Sequence, residues 1–156
     1  MKTKTINLTD IIPEGFIIDS LNENKTAINL KQIPKDIKEQ IKTLQDAIDE
    51  LGEQDEEVKF LRLLEPIGKE THILYKQQAV VIAKALNEGW IADYAITDQS
   101  KYEPRFYYDS SAGGFVFFDY GYWVTDTYVG SRLCFHSSEL AKYFGNQFIE
   151  IHRKYL

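Results

Sequence analysis

Aromatic residues crowd one stretch of the chain, and this stretch limits the folds that the sequence can adopt. Thirteen of the thirty-nine residues from Trp90 to Tyr128 are aromatic. Two runs, Phe106-Tyr107-Tyr108 and Phe117-Phe118, place aromatic residues in direct succession. Because neighbouring side chains of a β-strand point to opposite faces of the sheet, these runs cannot be buried on a single face. Either helices cover both faces of the sheet, or one face presents aromatic side chains to solvent.

Four segments in and around this stretch have the composition of β-strands. They are rich in aromatic and β-branched residues, and they comprise residues 90–94, 105–109, 115–119 and 128–135. Gly113-Gly114 predicts a tight turn between the second and the third segment. Residues 119–127 are too polar and too aromatic to be assigned to a strand or to an ordered loop.

Helical periodicity marks the segments on either side of these strands. A helix of about four turns is predicted to open at Pro34 and to end at Gly52. Its apolar stripe consists of Ile37, Ile41, Leu44, Ile48 and Leu51. A shorter helix is predicted over residues 55–64, ended by Pro66 and Gly68. A third helix, over residues 71–88, has little polar surface, so we expect it at the centre of the fold.

The two ends of the chain complete the predicted architecture. Residues 16–19 and 26–31 form a predicted hairpin with the turn formers Asn22 and Asn24 between them. At the other end, Ser137 or Ser138 caps a final amphipathic helix. The apolar face of that helix consists of Leu140, Phe144, Phe148, Ile151 and Tyr155.

Together these elements predict an α+β fold. An N-terminal hairpin and helices precede a mainly antiparallel, aromatic-rich sheet, which packs against a central and a C-terminal helix. Residues 1–66 form the hairpin plus helical segment, and residues 67–156 form a C-terminal α-β-β-β-α module. We expect the two parts to pack as one unit, with a hinge near residues 65–69 as the alternative.

Charge and cysteine content exclude several classes of protein. The formal net charge of −6 disfavours a general nucleic-acid binder, because phosphate binding relies on clustered Lys and Arg. The single cysteine, Cys134, lies in an apolar run and is expected to be a buried core residue. No apolar stretch of signal-peptide length follows the basic residues 1–5, and no segment is long enough to span a membrane. The sequence therefore favours a cytoplasmic protein.

Motifs for metals, cofactors and catalysis fail when their spacing is tested. The acidic run from Asp46 to Glu57 does not fit an EF-hand, since Gly52 at position 6 places Ala47 at position 1. The histidines and Cys134 show no zinc-ligand pairing. Gly130-Ser131 lacks the frame of a nucleophile elbow, and Gly113-Gly114 is not a phosphate loop. We therefore predict no catalytic residue, no metal site and no cofactor.

The aromatic stretch is the remaining candidate for function. Exposed Tyr and Trp side chains offer a large contact area at low entropic cost, and they stack on bases and sugars. Arg105, Lys101 and Arg132 lie among these rings. The candidate binding residues are Trp90, Tyr94, Arg105, Tyr107, Tyr120, Tyr122, Trp123 and Arg132.

Three longer runs carry a resemblance to a group of known sequences. They are the run from Ile82 to Trp90, the run from Thr127 to Phe135, and the run from Ser138 to Phe148. In these runs the chain resembles small uncharacterised proteins from phages and mobile elements of gut Bacteroidetes. The resemblance covers most of the chain after residue 40. It implies an origin on a phage, prophage or conjugative element, and it implies no activity and no site residues.

The residues favour a non-enzymatic binding or accessory protein that uses the aromatic sheet for a protein or peptide partner. Binding of single-stranded nucleic acid is one alternative, although the net charge disfavours it. An enzyme with an unrecognised site at Asp109, Asp119 and His136 is the other alternative. The sequence leaves the oligomeric state open.

Overall fold

The computed structural model describes residues 11–24, 26–32, 35–67, 69–127 and 130–156. Contacts divide the chain into two compact units, Met1–Asp36 and Ile37–Leu156. Within the described residues, six helices and two antiparallel two-stranded sheets confirm the predicted α+β class. The sequence analysis divided the chain near residue 66, whereas these contacts divide it at residue 36.

The first unit contains the predicted hairpin. Strand β1 (Phe16–Leu21) pairs antiparallel with strand β2 (Ile28–Gln32). Asn22 closes the turn, because its side-chain oxygen accepts hydrogen bonds from the backbone N–H groups of Thr26 at 2.7 Å and Ala27 at 2.9 Å. Both strands confirm the prediction, and β1 continues two residues further than expected.

The helix predicted between Pro34 and Gly52 is two helices. Helix α1 (Ile37–Gln40) ends before Thr43, which is the N-cap of helix α2 (Leu44–Leu51). The Thr43 hydroxyl accepts a bond from the Asp46 N–H at 3.2 Å, and the Asp46 carboxylate accepts one from the Thr43 N–H at 2.8 Å. This reciprocal capping begins a new helix inside the apolar stripe. Gly52 ends α2 as predicted, while Pro34 lies outside the described residues.

Helix α3 (Glu56–Leu64) and helix α4 (His72–Leu86) follow the predictions closely. Asp55 caps α3 and forms an ion pair with Lys84 at 2.6 Å, so the acidic run supplies helix caps as well as solvated side chains. Helix α4 packs against α2, α3 and the last helix of the chain, and most of its residues are buried. It occupies the central position that its apolar surface predicts. Gly68 lies outside the described residues.

Two of the four predicted strands form a long hairpin. Strand β3 (Lys101–Asp109) pairs antiparallel with strand β4 (Gly114–Trp123), and the pairing shifts between Arg105 and Phe106. Arg105 lies opposite Asp119 and Phe106 lies opposite Phe117, so Phe118 is an extra, bulged residue. The stretch left unassigned in the sequence, residues 119–127, therefore contributes five residues to β4.

The other two predicted strands are wrong. Residues 90–94 form no strand, because local side-chain bonds organise this segment. The Asp93 carboxylate accepts the Ala95 N–H at 2.8 Å, and the Gln99 side chain accepts the Asp93 N–H at 2.7 Å. In the range 128–135, Ser131–Leu133 is a 3-10 helix, and Phe135 alone bridges to Tyr102. Tyr128 and Val129 lie outside the described residues.

The final predicted helix is also divided. Helix α5 (Ser138–Gln147) ends at Phe148, whose backbone leaves the helical region, and helix α6 (Ile149–Tyr155) follows at once. Ser137 is the N-cap, since its hydroxyl accepts the Leu140 N–H at 3.3 Å. Helices α5 and α6 both pack against the β3–β4 hairpin.

Gly145 is the point of closest approach between α5 and this hairpin. A Cβ atom at this position would lie 2.7 Å from one ring carbon of Phe117 and 3.1 Å from the Cβ of Pro104. Only a residue without a side chain permits this contact.

We expect Gly145→Ala to destabilise the protein by about 2 kcal/mol, because overpacking exceeds the gain of about 1 kcal/mol in helix propensity. Chemical denaturation gives the free energy of unfolding. Asn146→Ala, at an exposed position of the same helix, is the control and should change it by less than about 0.5 kcal/mol. An increase in stability for Gly145→Ala would contradict the close contact.

His152 is a buried, neutral histidine that joins α6 to α5. Its Nε2 lies 3.2 Å from the Phe144 carbonyl oxygen, which can only accept, so Nε2 carries the proton. Its Nδ1 therefore accepts a hydrogen bond from the Tyr155 hydroxyl at 2.8 Å. Burial lowers the pKa of His152 from 6.5 to about 4. The stability from this neutral ring is present above pH 6.5 and is lost as the pH falls through 4.

We expect this titration to cost about 3 kcal/mol of stability between pH 7 and pH 4. The His152→Gln variant keeps a donor for the Phe144 carbonyl and removes the titration. Its free energy of unfolding should be lower at pH 7 but should fall less steeply with acid. Denaturation curves at pH 7, 6, 5 and 4 measure both slopes, and equal slopes would show that His152 does not titrate as described.

Candidate binding site

The β3–β4 hairpin has an inner face that contacts the helices and an outer face that does not. On the inner face, Phe106 lies 4.5 Å from the ring of His152 and 6.2 Å from the ring of Phe117. On the outer face, Tyr107 and Phe118 form an edge-to-face pair at 5.8 Å. Tyr107 is 49% exposed and Phe118 is 61% exposed. The aromatic runs permit either a sheet covered on both faces or a sheet with aromatic side chains open to solvent. The hairpin has the second arrangement.

A groove of about 550 Å³ opens beside these rings, and we call it the outer groove. Gly121 is one of its lining residues, and the nearest atoms to a Cβ there would be the Arg105 stem at 3.5 Å and the Trp123 indole nitrogen at 3.8 Å. Its lining residues are Glu103, Pro104, Arg105, Tyr120, Gly121, Tyr122 and Trp123.

Glu103 anchors one end of the outer groove. Its carboxylate accepts hydrogen bonds from the Trp123 indole N–H at 3.0 Å and from the Thr127 hydroxyl at 2.7 Å. Glu103 is only 3% exposed, and burial raises its pKa above the usual value, with a smaller contribution from the negative charge of Asp126. Both carboxylate oxygens are therefore fixed, and one of them fixes the orientation of the Trp123 ring.

Lys101 holds together the two loops beneath this end of the groove. The residue is fully buried, and its ammonium group donates to the carbonyl oxygens of Val124 at 2.8 Å and Ile96 at 3.3 Å. The same group lies 5.1 Å from the centre of the Tyr94 ring. Lys101 is therefore a structural residue, and not a contact residue on the surface.

Tyr94 and Cys134 meet below the same loops. The Tyr94 hydroxyl lies 3.8 Å from the Cys134 sulfur. Burial raises the pKa of Tyr94 to about 12 and raises the pKa of the Cys134 thiol, so both groups stay protonated at neutral pH. Cys134 is buried, as its apolar neighbours predict, and it lacks the thiolate character of a nucleophile.

Two of the proposed binding residues lie in a separate pocket. Trp90 and Arg132 line a cavity of about 300 Å³ together with Glu57 and Lys84. The Arg132 guanidinium is paired with the Glu57 carboxylate at 3.1 Å, and Trp90 packs edge-on against His136 at 6.1 Å. This pocket contains opposite charges that already neutralise one another.

The eight predicted residues thus fall into three groups. Arg105, Tyr120, Tyr122 and Trp123 line the outer groove, and Tyr107 lies on the same hairpin. Trp90 and Arg132 line the second pocket, and the Tyr94 ring lies against the Lys101 ammonium. The rings of Tyr120 and Tyr122 make tilted contacts with the ring of Tyr102, with ring centres 5.7 and 5.9 Å apart.

Asp109, Asp119 and His136 are not brought together. Asp109 lies at the end of β3, where its carboxylate accepts bonds from Ser111. Asp119 lies opposite Arg105 in the hairpin. Arg105 is four residues from Asp109 along β3, which corresponds to about 13 Å. His136 follows Phe135, which bridges to Tyr102 near the far end of β3. The geometry therefore offers no support for an acid–base site of these residues.

Glu103, Pro104 and Gly121 are the groove residues that the sequence analysis missed. Glu103 is separated from its two hydrogen-bond donors by 20 and 24 residues, so no local pattern links them. The one local signal is that Lys101 and Glu103 alternate in a strand, which places two charged side chains on one face.

Among the residues described, no three His, Cys, Asp or Glu side chains are grouped to hold a metal ion. No helix in the described ranges has the length and apolar character needed to cross a bilayer.

We expect Lys101→Met to destabilise the protein by about 2 kcal/mol, because two carbonyl groups lose a charged hydrogen-bond donor. Chemical denaturation measures the change. Lys142→Met, which removes an exposed ammonium group that lies 4.8 Å from the Tyr120 ring, is the control with an expected loss below about 1 kcal/mol. Equal stability of Lys101→Met and the parent protein would exclude the structural role.

No protein-family model, no curated protein and no solved structure matches this chain. The origin on a phage or mobile element therefore stays a prediction that rests on the sequence resemblance.

Proposed function

We propose that this chain is a non-enzymatic binding protein whose outer groove receives a peptide segment of a protein partner. The supporting observation is that the exposed rings of Tyr107 and Phe118 lie on the same hairpin as the outer groove. Tyr107 and Phe118 offer exposed aromatic surface, and the Trp123 ring is held in place by Glu103. Side chains that are ordered before binding lose little entropy when a ligand docks on them.

The distribution of positive charge favours a peptide over single-stranded nucleic acid. Of the three basic residues found among the aromatic side chains, Lys101 is buried and Arg132 is paired with Glu57. Only Arg105 borders the outer groove, and the Glu103 carboxylate lines its other end. A phosphate backbone would be repelled there, since its binding depends on several cations.

Two further parts of the proposal rest on the sequence alone. A cytoplasmic location rests on the single cysteine, which permits no internal disulfide. An accessory role on a phage or mobile element rests on the resemblance.

The groove can be blocked with a single substitution. Gly121 lies within β4, and valine is favoured in strands, so Gly121→Val should fold at least as well as the parent while its side chain fills part of the groove. Ala112→Val, in the exposed turn between β3 and β4, is the matched control.

A displayed library of random 12-residue peptides, selected on the immobilised full chain, supplies the probes. The chain has two tryptophans, so Trp90→Phe leaves Trp123 as the sole indole reporter in the groove. We expect selected peptides without tryptophan to shift the Trp123 emission. We expect Gly121→Val to weaken their binding at least tenfold and Ala112→Val to leave their binding unchanged. A library without enriched peptides, or equal binding to Gly121→Val, would overturn the proposal.

A further inference from the structure

The Glu103 carboxylate is a buried negative charge at the wall of the outer groove. Among the described residues it forms hydrogen bonds with Trp123 and Thr127, and it forms no ion pair. A carboxylate offers about four lone-pair positions, so the two bonds leave acceptor capacity. The negative charge of Asp126 acts against its ionisation.

A buried carboxylate without a cation is costly, because desolvation of the charge is not offset by an opposite charge. An incoming cation would remove part of this cost and would gain a charge-assisted hydrogen bond. The environment of Glu103 is therefore complementary to a positively charged group.

The rest of the groove fits the aliphatic stem of a basic side chain. The edge of the Trp123 indole lies against Glu103 and borders the groove beside it. The missing side chain at Gly121 leaves room between this ring and the Arg105 stem. Lysine and arginine commonly lay their methylene groups along apolar surface while the charged head reaches a polar partner.

Arg105 does not occupy this position itself. Its stem passes over Gly121, and its guanidinium carbon lies 5.9 Å from the centre of the Phe118 ring. Phe118 lies beside Tyr107, toward the turn of the hairpin and away from Glu103. The Arg105 guanidinium therefore lies toward one end of the groove and the Glu103 carboxylate toward the other, where the Lys101 ammonium is buried against the Val124 and Ile96 carbonyl oxygens.

We propose that the outer groove recognises a lysine or arginine side chain of the partner peptide, with its charged head at Glu103 and its stem along Trp123. This inference rests on the proposed peptide-binding function and specifies the chemistry that the groove selects. Glu103 is then the residue that determines specificity, and the exposed rings of Tyr107 and Phe118 supply apolar contact.

A thermodynamic cycle tests this pairing directly. Lysine-containing peptides from the library are compared with the same peptides carrying norleucine, which keeps the stem and removes the charge. Both are titrated against the parent chain and against Glu103→Gln by the Trp123 emission in the Trp90→Phe background. We expect norleucine to weaken binding ten- to a hundredfold in the parent chain and less than threefold in Glu103→Gln.

Two controls separate specificity from folding. The norleucine peptide should bind Glu103→Gln and the parent chain equally, which establishes that the variant groove is intact. Glu139→Gln removes an exposed carboxylate from the start of α5, and it should leave the lysine preference unchanged.

The outcomes distinguish this inference from the function on which it rests. Gly121→Val could block peptide binding while norleucine lowers the affinity equally in the parent chain and in Glu103→Gln. That result would overturn the role of Glu103 and leave the peptide-binding function intact. Enriched peptides without any basic residue would have the same consequence. A library from which nothing binds the parent chain would overturn both.

Discussion

The fold depends on the close approach of the β3–β4 hairpin to helix α5 at Gly145. A two-stranded hairpin is only marginally stable alone, so it requires a partner surface for its apolar side chains. The ring of Phe117 fits over Gly145, and Phe106 packs against His152 in the next helix. Once the inner face is used in this way, the pleat directs the alternate side chains, including Tyr107, away from the core.

Two buried charged residues form hydrogen bonds that hold the residues around the outer groove in position. Lys101 joins two loops through their carbonyl oxygens, and Glu103 orients Trp123 and Thr127. Both residues lie on β3, two positions apart, so one strand positions the base and the wall of the groove. Hydrogen bonds within the chain therefore shape the outer groove.

Features with local signals could be predicted from the sequence, and features that depend on distant partners could not. The helices over 56–64 and 72–86 follow from periodicity and caps, and the first hairpin follows from its turn residues. The break at Thr43 was missed because the apolar spacing continues across it. The strand predicted at 90–94 failed because side chains of Asp93 and Gln99 compete for the backbone. The aromatic part of the groove was predicted, whereas Glu103 was not, since its donors lie far along the chain.

The bulge at Phe118 has a consequence for how such a protein can vary. This single extra residue sets which side of the hairpin every later side chain of β4 occupies. Removing one residue there would exchange the sides of Tyr120 and Trp123, moving the tyrosine outward and the indole toward α5. Related proteins of the same architecture can therefore differ in residue type along β4, but an insertion or deletion within the strand would dismantle the groove and the packing together.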